Sequence, residues 1–452
     1  MNTHRYIARF IVEAETPLFV GSGEASLLKD ALVQKDCNGF PMILGTSLAG
    51  VLRHSLVKND WIERVFGYAK RDKGTGSLLK VSSAYMLLNG NEVSEVILES
   101  IDAELFDRFS NLPSRQHVRI TEKGVAAEQG LFDNEVVYKG TRFVFELELK
   151  GNSQDEKYWN NIVRQVKSPT FRIGSGTRNG YGSLSVISIF EKTFDLTKIE
   201  DFESYVSFNP SFNSELDFSK VEYEKDNNQN SDFIKYTLNL KPDSFFIFSE
   251  GFGDEEADNR PLEEEIVIYK NGKIDFEKQT VIPASSIKGA ISHRVAFNYN
   301  KLTKQFADVG GAKTGVENEA VAALFGKAGK DVADPQAGNV FINDFYYSDD
   351  KIANDKILNH VAIDRFTGGA MDGALFSEKV SFLKGGDFCF DVYVQHSNDG
   401  KILESLENTL IDICKGLLPL GGMTTKGHGM FTGKLLKNGE EIFNYYKKEE
   451  LC

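Results

Sequence analysis

Cysteine is scarce and scattered in this chain: Cys37, Cys389, Cys414 and Cys452 form no CxxC pair and have no histidine at ligand spacing. That pattern offers no zinc or dithiol motif, and it predicts thiols that act as packing residues in a reducing compartment. Apolar runs are short as well. None reaches the length needed to cross a bilayer, and Met1 to Arg9 lacks the apolar stretch of a secretory leader, so the expected location is cytoplasmic, with no membrane partner. Positive charge is in deficit, the net charge being −14. This argues against a surface that grips nucleic acid everywhere, but a basic groove on an acidic body remains open. The acid is concentrated from Glu200 to Asp232 and from Asp254 to Glu265, which are expected to be linker or loop.

What the chain does have, it has twice. GTSLAG (Gly45 to Gly50) returns as ASSIKG (Ala284 to Gly289), each followed four residues on by a histidine, His54 or His293. VFG (Val65 to Gly67) returns as LFG (Leu324 to Gly326). HVRITEKG…GLF (His117 to Phe132) returns as HVAIDRFTGG…ALF (His360 to Phe376), and IGSGTRNGYG (Ile173 to Gly182) as LGGMTTKGHG (Leu420 to Gly429). Four landmarks in one order imply a duplicated domain. The polar run KDNNQNSD, Lys225 to Asp232, is the expected linker between a first domain, 1–224, and a second, 233–452.

Local patterning supplies elements for both copies. Tyr6, Ala8, Phe10, Val12 and Ala14 alternate as a half-buried strand does, and so do Ile234, Tyr236, Leu238 and Leu240. Phe143 to Leu149 and Phe388 to Val394 predict core strands, and Leu403 to Leu417 a helix leading to the last glycine loop. Ser47 and Ser286 are expected to cap short helices. Strand, helix, strands, helix, strand in each copy suggests an α+β fold: two tandem ferredoxin-like or RRM-like domains with long insertions.

Three segments carry chemistry, each with a structural alternative. The helix starts at Thr46, Ser47, Ser285 and Ser286 could hold a phosphate on free N–H groups, with Lys288, Arg53, His54, His293 and Arg294 in reach; alternatively, each is a simple capped helix. The glycine loops, with Arg172, Arg178, Lys426 and His428 interleaved, could lay a phosphate backbone across a sheet, because a strand follows them where a nucleotide loop would need a helix. They could also be plain turns. The segments around Arg115, His117 and Arg119, and around His360, Asp364 and Arg365, suggest hairpins; the second, with Phe366 at its tip, could wedge between bases or could be a solvated loop.

The loop Val20 to Gly23, the segment LLKDALVQKD, the GTSLAG helix start, the HVAIDRFTGGAMDGALF segment and GSGTRNGYG together resemble the RAMP superfamily of CRISPR proteins. More narrowly, the chain is similar to the backbone subunit of type III effector complexes, fused in tandem. The resemblance implies RRM-like palms that bind CRISPR RNA (crRNA), thumb hairpins that displace one nucleotide of the guide–target duplex, other effector subunits as partners, and metal-dependent cutting of the complementary target RNA, with Mg2+ as the expected ion. It puts the cutting carboxylate at Asp30, which could act as general base or as metal holder. In the second copy NRPLEEEIVIYKNG brings Glu263, Glu264 or Glu265 to that place, with Glu264 the candidate, and the longer side chain predicts a half that holds RNA without cutting it. The first copy departs from the family pattern at Ala49, where a lysine is usual. Three other readings stay open: a catalytically inactive crRNA-binding subunit, a crRNA-processing ribonuclease using His54, His117 or His360, and a nucleotide-binding enzyme unrelated to RNA.

Overall fold

The computed structural model describes residues 2–25, 29, 31–56, 60–70, 73–120, 126–221, 233–306, 310–327, 335–348, 350–395 and 399–447, without the side chains of 119, 120, 126–129 and 131. In the first half β1 (His4–Ala14), α1 (Gly45–Ser55), β2 (Leu79–Val81), β3 (Arg142–Gly151), α2 (Glu156–Val166) and β4 (Leu184–Asp195) follow one another. In the second half the same order is filled by β5 (Phe233–Pro242), α3 (Ala284–Thr303), β6 (Val340–Ile342), β7 (Phe388–Gln395), α4 (Gly400–Cys414) and β8 (Phe431–Lys437). Both sheets are antiparallel, with spatial orders β4-β1-β3-β2 and β8-β5-β7-β6. Short strands extend them, Ser219–Lys220 beyond β4 and Glu440–Asn444 beyond β8. The fold is mixed α/β with extra strand insertions. The expected linker, Lys225 to Asp232, lies outside the described residues.

Alternation along the strands builds the two cores. Tyr6, Ala8, Phe10, Val12 and Ala14 are buried against Phe143, Phe145, Leu147 and Leu149, with Phe10 stacked on Phe145 at 4.9 Å between ring centres. Trp159, Ile162, Val163 and Val166 of α2 complete that layer. In the second half Tyr236, Leu238 and Leu240 meet Phe388, Phe390 and Val392 under Leu406, Leu410 and Ile413 of α4. Burying such side chains stabilises by roughly 1.5–3 kcal/mol each.

Several sequence expectations need correction. Ser47 and Ser286 cap nothing: α1 begins at Gly45 after Leu44 and α3 at Ala284 after Pro283, without side-chain caps from the N-cap residues. The first N–H of each helix is instead satisfied from across the fold, Gly45 by Ser83 Oγ at 3.2 Å and Ala284 by Asp344 Oδ1 at 2.7 Å. α3 runs for 20 residues and is not short. Of the thiols, Cys414 is packed inside while Cys37 and Cys389 are exposed. Part of the acidic stretch after residue 199 is a helix, Ile199–Ser207.

The segment from Glu263 is a hairpin, Glu263–Lys270 paired with Lys273–Ile282, and it turns at Asn271-Gly272, where both residues have positive φ. An Asn-Gly pair between alternating strands is the strongest short-range hairpin signal, and it was present in the sequence. This hairpin reaches into the first half. Val267 is buried in the first core, the Tyr269 hydroxyl donates to the Leu87 carbonyl at 2.8 Å, and Phe276 packs on Phe109 and Tyr138. Gly140, at φ +89°, lies so close that an added Cβ would stand 1.8 Å from the Val267 carbonyl oxygen. Gly140→Ala is therefore expected to destabilise the chain by at least about 2 kcal/mol, from backbone strain and a forced separation of the halves; a denaturant midpoint shared with wild type would show that the contact is slack.

Candidate nucleic-acid interface

The two halves meet at a buried cluster of charge. Arg115, on the first-half strand Ser114–Ile120, donates from Nε and Nη2 to both oxygens of Glu264, at 2.6 and 2.5 Å, and from Nη1 to Asp344 at 2.5 Å. The Asp344 side chain is fully buried and that of Arg115 is 6% exposed. The Tyr346 hydroxyl links Arg115 to Glu264, and the guanidinium lies 5.2 Å from the centre of the Tyr181 ring. Burial opposes the charge on Arg115, but Asp344 and Glu264 outweigh it and lift its pKa well above the ordinary arginine value. His117 Nε2 shares a hydrogen bond with the Tyr181 hydroxyl at 2.5 Å. Burial, reinforced by the Arg115 charge, lowers its pKa to about 4, so this imidazole is neutral at pH 7.

The first glycine loop docks at the same joint. Arg178 donates from Nε to the Gly338 carbonyl at 2.7 Å and covers the Phe341 ring, while Lys288 Nζ donates to Asn179 Oδ1 at 3.0 Å. Arg172, buried, donates to the Ile342 carbonyl; burial and then the neighbouring Arg178 lower it to about 10. Gly180, at φ +102°, leaves room for Ala284 and Asp344, which a Cβ there would meet at 2.6 and 2.7 Å.

The second half repeats this arrangement with different side chains. The hairpin strands Ser114–Ile120 and Ala126–Glu135 pair His117 with Phe132, and Ile352–His360 and Phe376–Leu383 pair His360 with Phe376 in the same register. Each histidine stacks on its phenylalanine, at 5.1 and 4.8 Å. His428 of the second glycine loop stands at the place of Tyr181, and Glu378 at that of Asn134. Fully buried Glu378 Oε1 bridges His360 Nε2 at 2.7 Å and His428 Nε2 at 3.1 Å. Lys426, exposed, lies with Nζ 4.2 Å from the centre of the Phe376 ring. Tyr181, Asp344, Tyr346 and Glu378 were missing from the sequence-based candidates. Matching the two glycine loops letter by letter would have found Tyr181; the others become neighbours only in the fold.

The remaining candidates are more dispersed. Thr46 and Ser286 are exposed, and Ser47 and Ser285 half-buried, at the two helix starts. Arg53 and His54 occupy the last turn of α1, about 12 Å along the axis from its start at ~1.5 Å per residue, and His293 is similarly far along α3, so none of these three closes on a helix start. Arg294 is paired with Asp412 at 2.7 Å. Arg365 is exposed beside Phe366, which is 99% exposed at the tip of a hairpin whose turn Asp364 holds by accepting from the Phe366 and Thr367 N–H groups. Asp30 and the Arg119 side chain lie outside the described residues.

The loops after β1 and β5 are tied by matching backbone bonds. Ser22 N–H donates to Leu32 and Gln34 N–H to Val20; Glu250 N–H donates to Arg260 and Leu262 N–H to Phe248. One offset of 228 residues relates both ends of these loops, Val20 to Phe248 and Gln34 to Leu262. It carries Asp36 onto Glu264 and Asp30 onto Asp258, which corrects the placement of the 263–265 glutamates opposite Asp30. That placement matched acidic letters without the hydrogen bonds that set the register. Glu264 belongs to the Arg115 cluster.

A model of the RAMP superfamily matches residues 11–185 and 273–432, more than half of the chain and parts of both halves. The chain belongs to the RAMP superfamily. Among solved structures this RAMP protein is similar to a chain in the cryo-EM structure of type III-B Cmr-beta in the apo state, at 18% identity over 40% of this chain and 96% of that one, with a TM-score of 0.31. It is also similar to a chain of type III-B Cmr-beta bound to cognate target RNA, at 17% identity over the same shares, with a TM-score of 0.32. Likenesses this distant transfer no residue's role. No curated protein matches the chain. Among the described residues no helix is long and apolar enough to cross a membrane.

Two outcomes follow from the joint. Arg115→Ala leaves buried Asp344 and half-buried Glu264 without their cation and is expected to destabilise by about 3 kcal/mol, read from denaturant midpoints. His117 binds a proton more weakly in the folded chain than in the unfolded one, so its contribution is complete above pH 6.5 and is lost as pH falls toward 4, with a slope of up to about 1.4 kcal/mol per pH unit. His117→Asn should flatten stability over that window, and an unchanged slope would show that other groups set it.

Proposed function

We propose that this RAMP protein serves as two consecutive backbone units of a type III CRISPR effector complex, binding crRNA along both halves and cutting complementary target RNA through Asp30. The observation that carries this reading is the duplicated cassette: in each half a hairpin histidine stacks on a phenylalanine in the same register and is tied to a glycine loop, directly to Tyr181 in the first half and through Glu378 to His428 in the second. Two stations of matching register on one chain suit a repetitive polymer better than a single small ligand. The strand orders β4-β1-β3-β2 and β8-β5-β7-β6, with a helix after the first and third strands in chain order, support RRM-like palms and domains bounded as 1–224 and 233–452.

The side chains offered to RNA are Thr46, Ser47, Arg53 and His54 on α1; Ser285, Ser286 and His293 on α3; and His360, Arg365 and Lys426 around the second cleft. His117 and Arg119 belong to the first hairpin, and Arg178 and Lys288 also form the joint along which a strand would run, whereas the Arg115 guanidinium, expected to bind RNA, is buried and spent on Asp344 and Glu264. The apolar, exposed second hairpin, with Val361, Ile363, Phe366 and Met371, has the character of a wedge between bases.

Asp30 would take the proton of a target 2′-hydroxyl as it attacks the adjacent phosphate. Among the described residues no three histidine, cysteine, aspartate or glutamate side chains converge on a metal position. A single carboxylate, with water and phosphate oxygens, nevertheless suits Mg2+, which keeps most of its hydration shell and would supply charge neutralisation at the phosphate.

The test is co-expression with the other subunits of its complex and a guide, followed by cleavage of matched RNA. The expected result is a guide of defined length in the complex, cuts at regular intervals, and loss of one cut in Asp30→Ala. Added chelator should stop the cutting; continued cleavage in chelator would favour a histidine ribonuclease. Regular binding without cuts would favour the inactive subunit, and a complex free of RNA would end the proposal.

A further inference from the structure

The first half carries a segment that the second half does not repeat. Residues 82–113 join β2 to the first hairpin, whereas residues 343–351 make the same connection in the second half. A surface met once in a duplicated chain serves something other than the two repeated stations.

The added segment is pinned at several points. Buried Asn38 grips its backbone, donating from Nδ2 to the Val96 carbonyl at 2.8 Å and accepting at Oδ1 from the Leu98 N–H at 3.0 Å. Glu95 Oε1 accepts from the N–H groups of Phe212 and Asn213. The second-half hairpin holds the other end: Gly90 N–H donates to the Gly272 carbonyl and Ile274 N–H to Asn89 Oδ1, both at 2.7 Å. A backbone fixed in this way still turns large apolar side chains to solvent, Val96 at 56% and Ile97 at 81% exposure. A groove lined by Phe40, Leu88, Leu98, Ile101 and Leu105 adjoins them, and exposed Phe106 meets the Phe40 ring edge-on. Because the backbone is ordered in advance, association at this face avoids part of its entropic cost.

Charge defines what fits there. Residues 88–107 carry Glu92, Glu95, Glu99, Asp102, Glu104 and Asp107 and neither lysine nor arginine. Glu95 is used internally and Asp102 caps the helix Ala103–Ser110, while Glu92, Glu99, Glu104 and Asp107 are exposed. Arg108, which follows, is paired with Glu265 at 2.8 Å. A rim of this sign repels phosphates and attracts lysine and arginine.

We infer that this acid-rimmed apolar groove docks a protein partner, one per chain, through a segment whose row of large apolar side chains is flanked by lysine or arginine. The apolar row fills the groove and covers Val96 and Ile97, and the basic flanks meet Glu92, Glu99 and Glu104. The inference does not rest on RNA cleavage, and it gives this face to protein instead of nucleic acid.

The test uses the purified full chain and, as probe, a fluorescent peptide with leucine on one helical face and lysine on the rest, read by anisotropy. The expected result is saturable binding of one peptide per chain, weakened about 10-fold or more by Val96→Asp or Ile97→Asp. Both sites are exposed, so denaturant midpoints should stay at the wild-type value. The triple variant Glu92→Lys, Glu99→Lys, Glu104→Lys should lose the lysine peptide and take up its leucine–glutamate counterpart. In the assembled complex, p-benzoylphenylalanine in place of Ile97 should crosslink to a protein segment of the stated composition. No saturable binding, or an affinity indifferent to Ile97→Asp or to the charge reversal, would overturn the inference. A crosslink to RNA, or sedimentation showing that the face joins two copies of this chain, would overturn it equally.

Discussion

The buried contact of Arg115 with Asp344 and Glu264 sets the geometry on which the rest of the molecule depends. A guanidinium withdrawn from water has to find its counter-charges at fixed distance and angle, and this one draws them from two separate segments of the opposite half. Asp344 in turn accepts from the first N–H of α3, so the joint and the helix start share one carboxylate. Apolar packing alone would hold the halves together and allow them to slide. The forked hydrogen bonds of arginine do not, and they hold the first hairpin and the first glycine loop in one register against the second half.

Duplication followed by divergence explains why the two clefts differ. The stacked histidine and phenylalanine persist in both. Around them, Tyr181 becomes His428, Asn134 becomes Glu378 and Arg115 becomes Leu358. In the first half the arginine looks outward to carboxylates supplied by the second. The second half carries Leu358 at the place of that arginine, and it closes its own cluster with an internal glutamate between two histidines. The same fold therefore presents one cleft built into a joint and another completed by its own side chains.

Much of the architecture was legible because it rests on local periodicity. Alternating Tyr6 to Ala14 and Ile234 to Leu240 are the central strands, and His117 and His360 do share a register with their phenylalanines. Other features were hidden by contacts distant in sequence. Ser47 and Ser286 have the composition of caps, yet Ser83 and Asp344 take the first helical N–H groups. The acidic run at Glu263 reads as loop until its Asn-Gly turn is recognised, and its burial against Gly140 could not be inferred from either segment alone.

The sequence by itself determined that the molecule is a tandem repeat of one mixed α/β unit, because repeated small residues and alternating apolar positions act through neighbours along the chain. Only the tertiary structure decided which charges oppose each other and that Glu264 answers to Asp36. Hydrogen-bond register and the burial of ion pairs are properties of strands brought together, and residues such as Arg115 and Asp344, far apart in the chain, acquire their partners only when the two halves close.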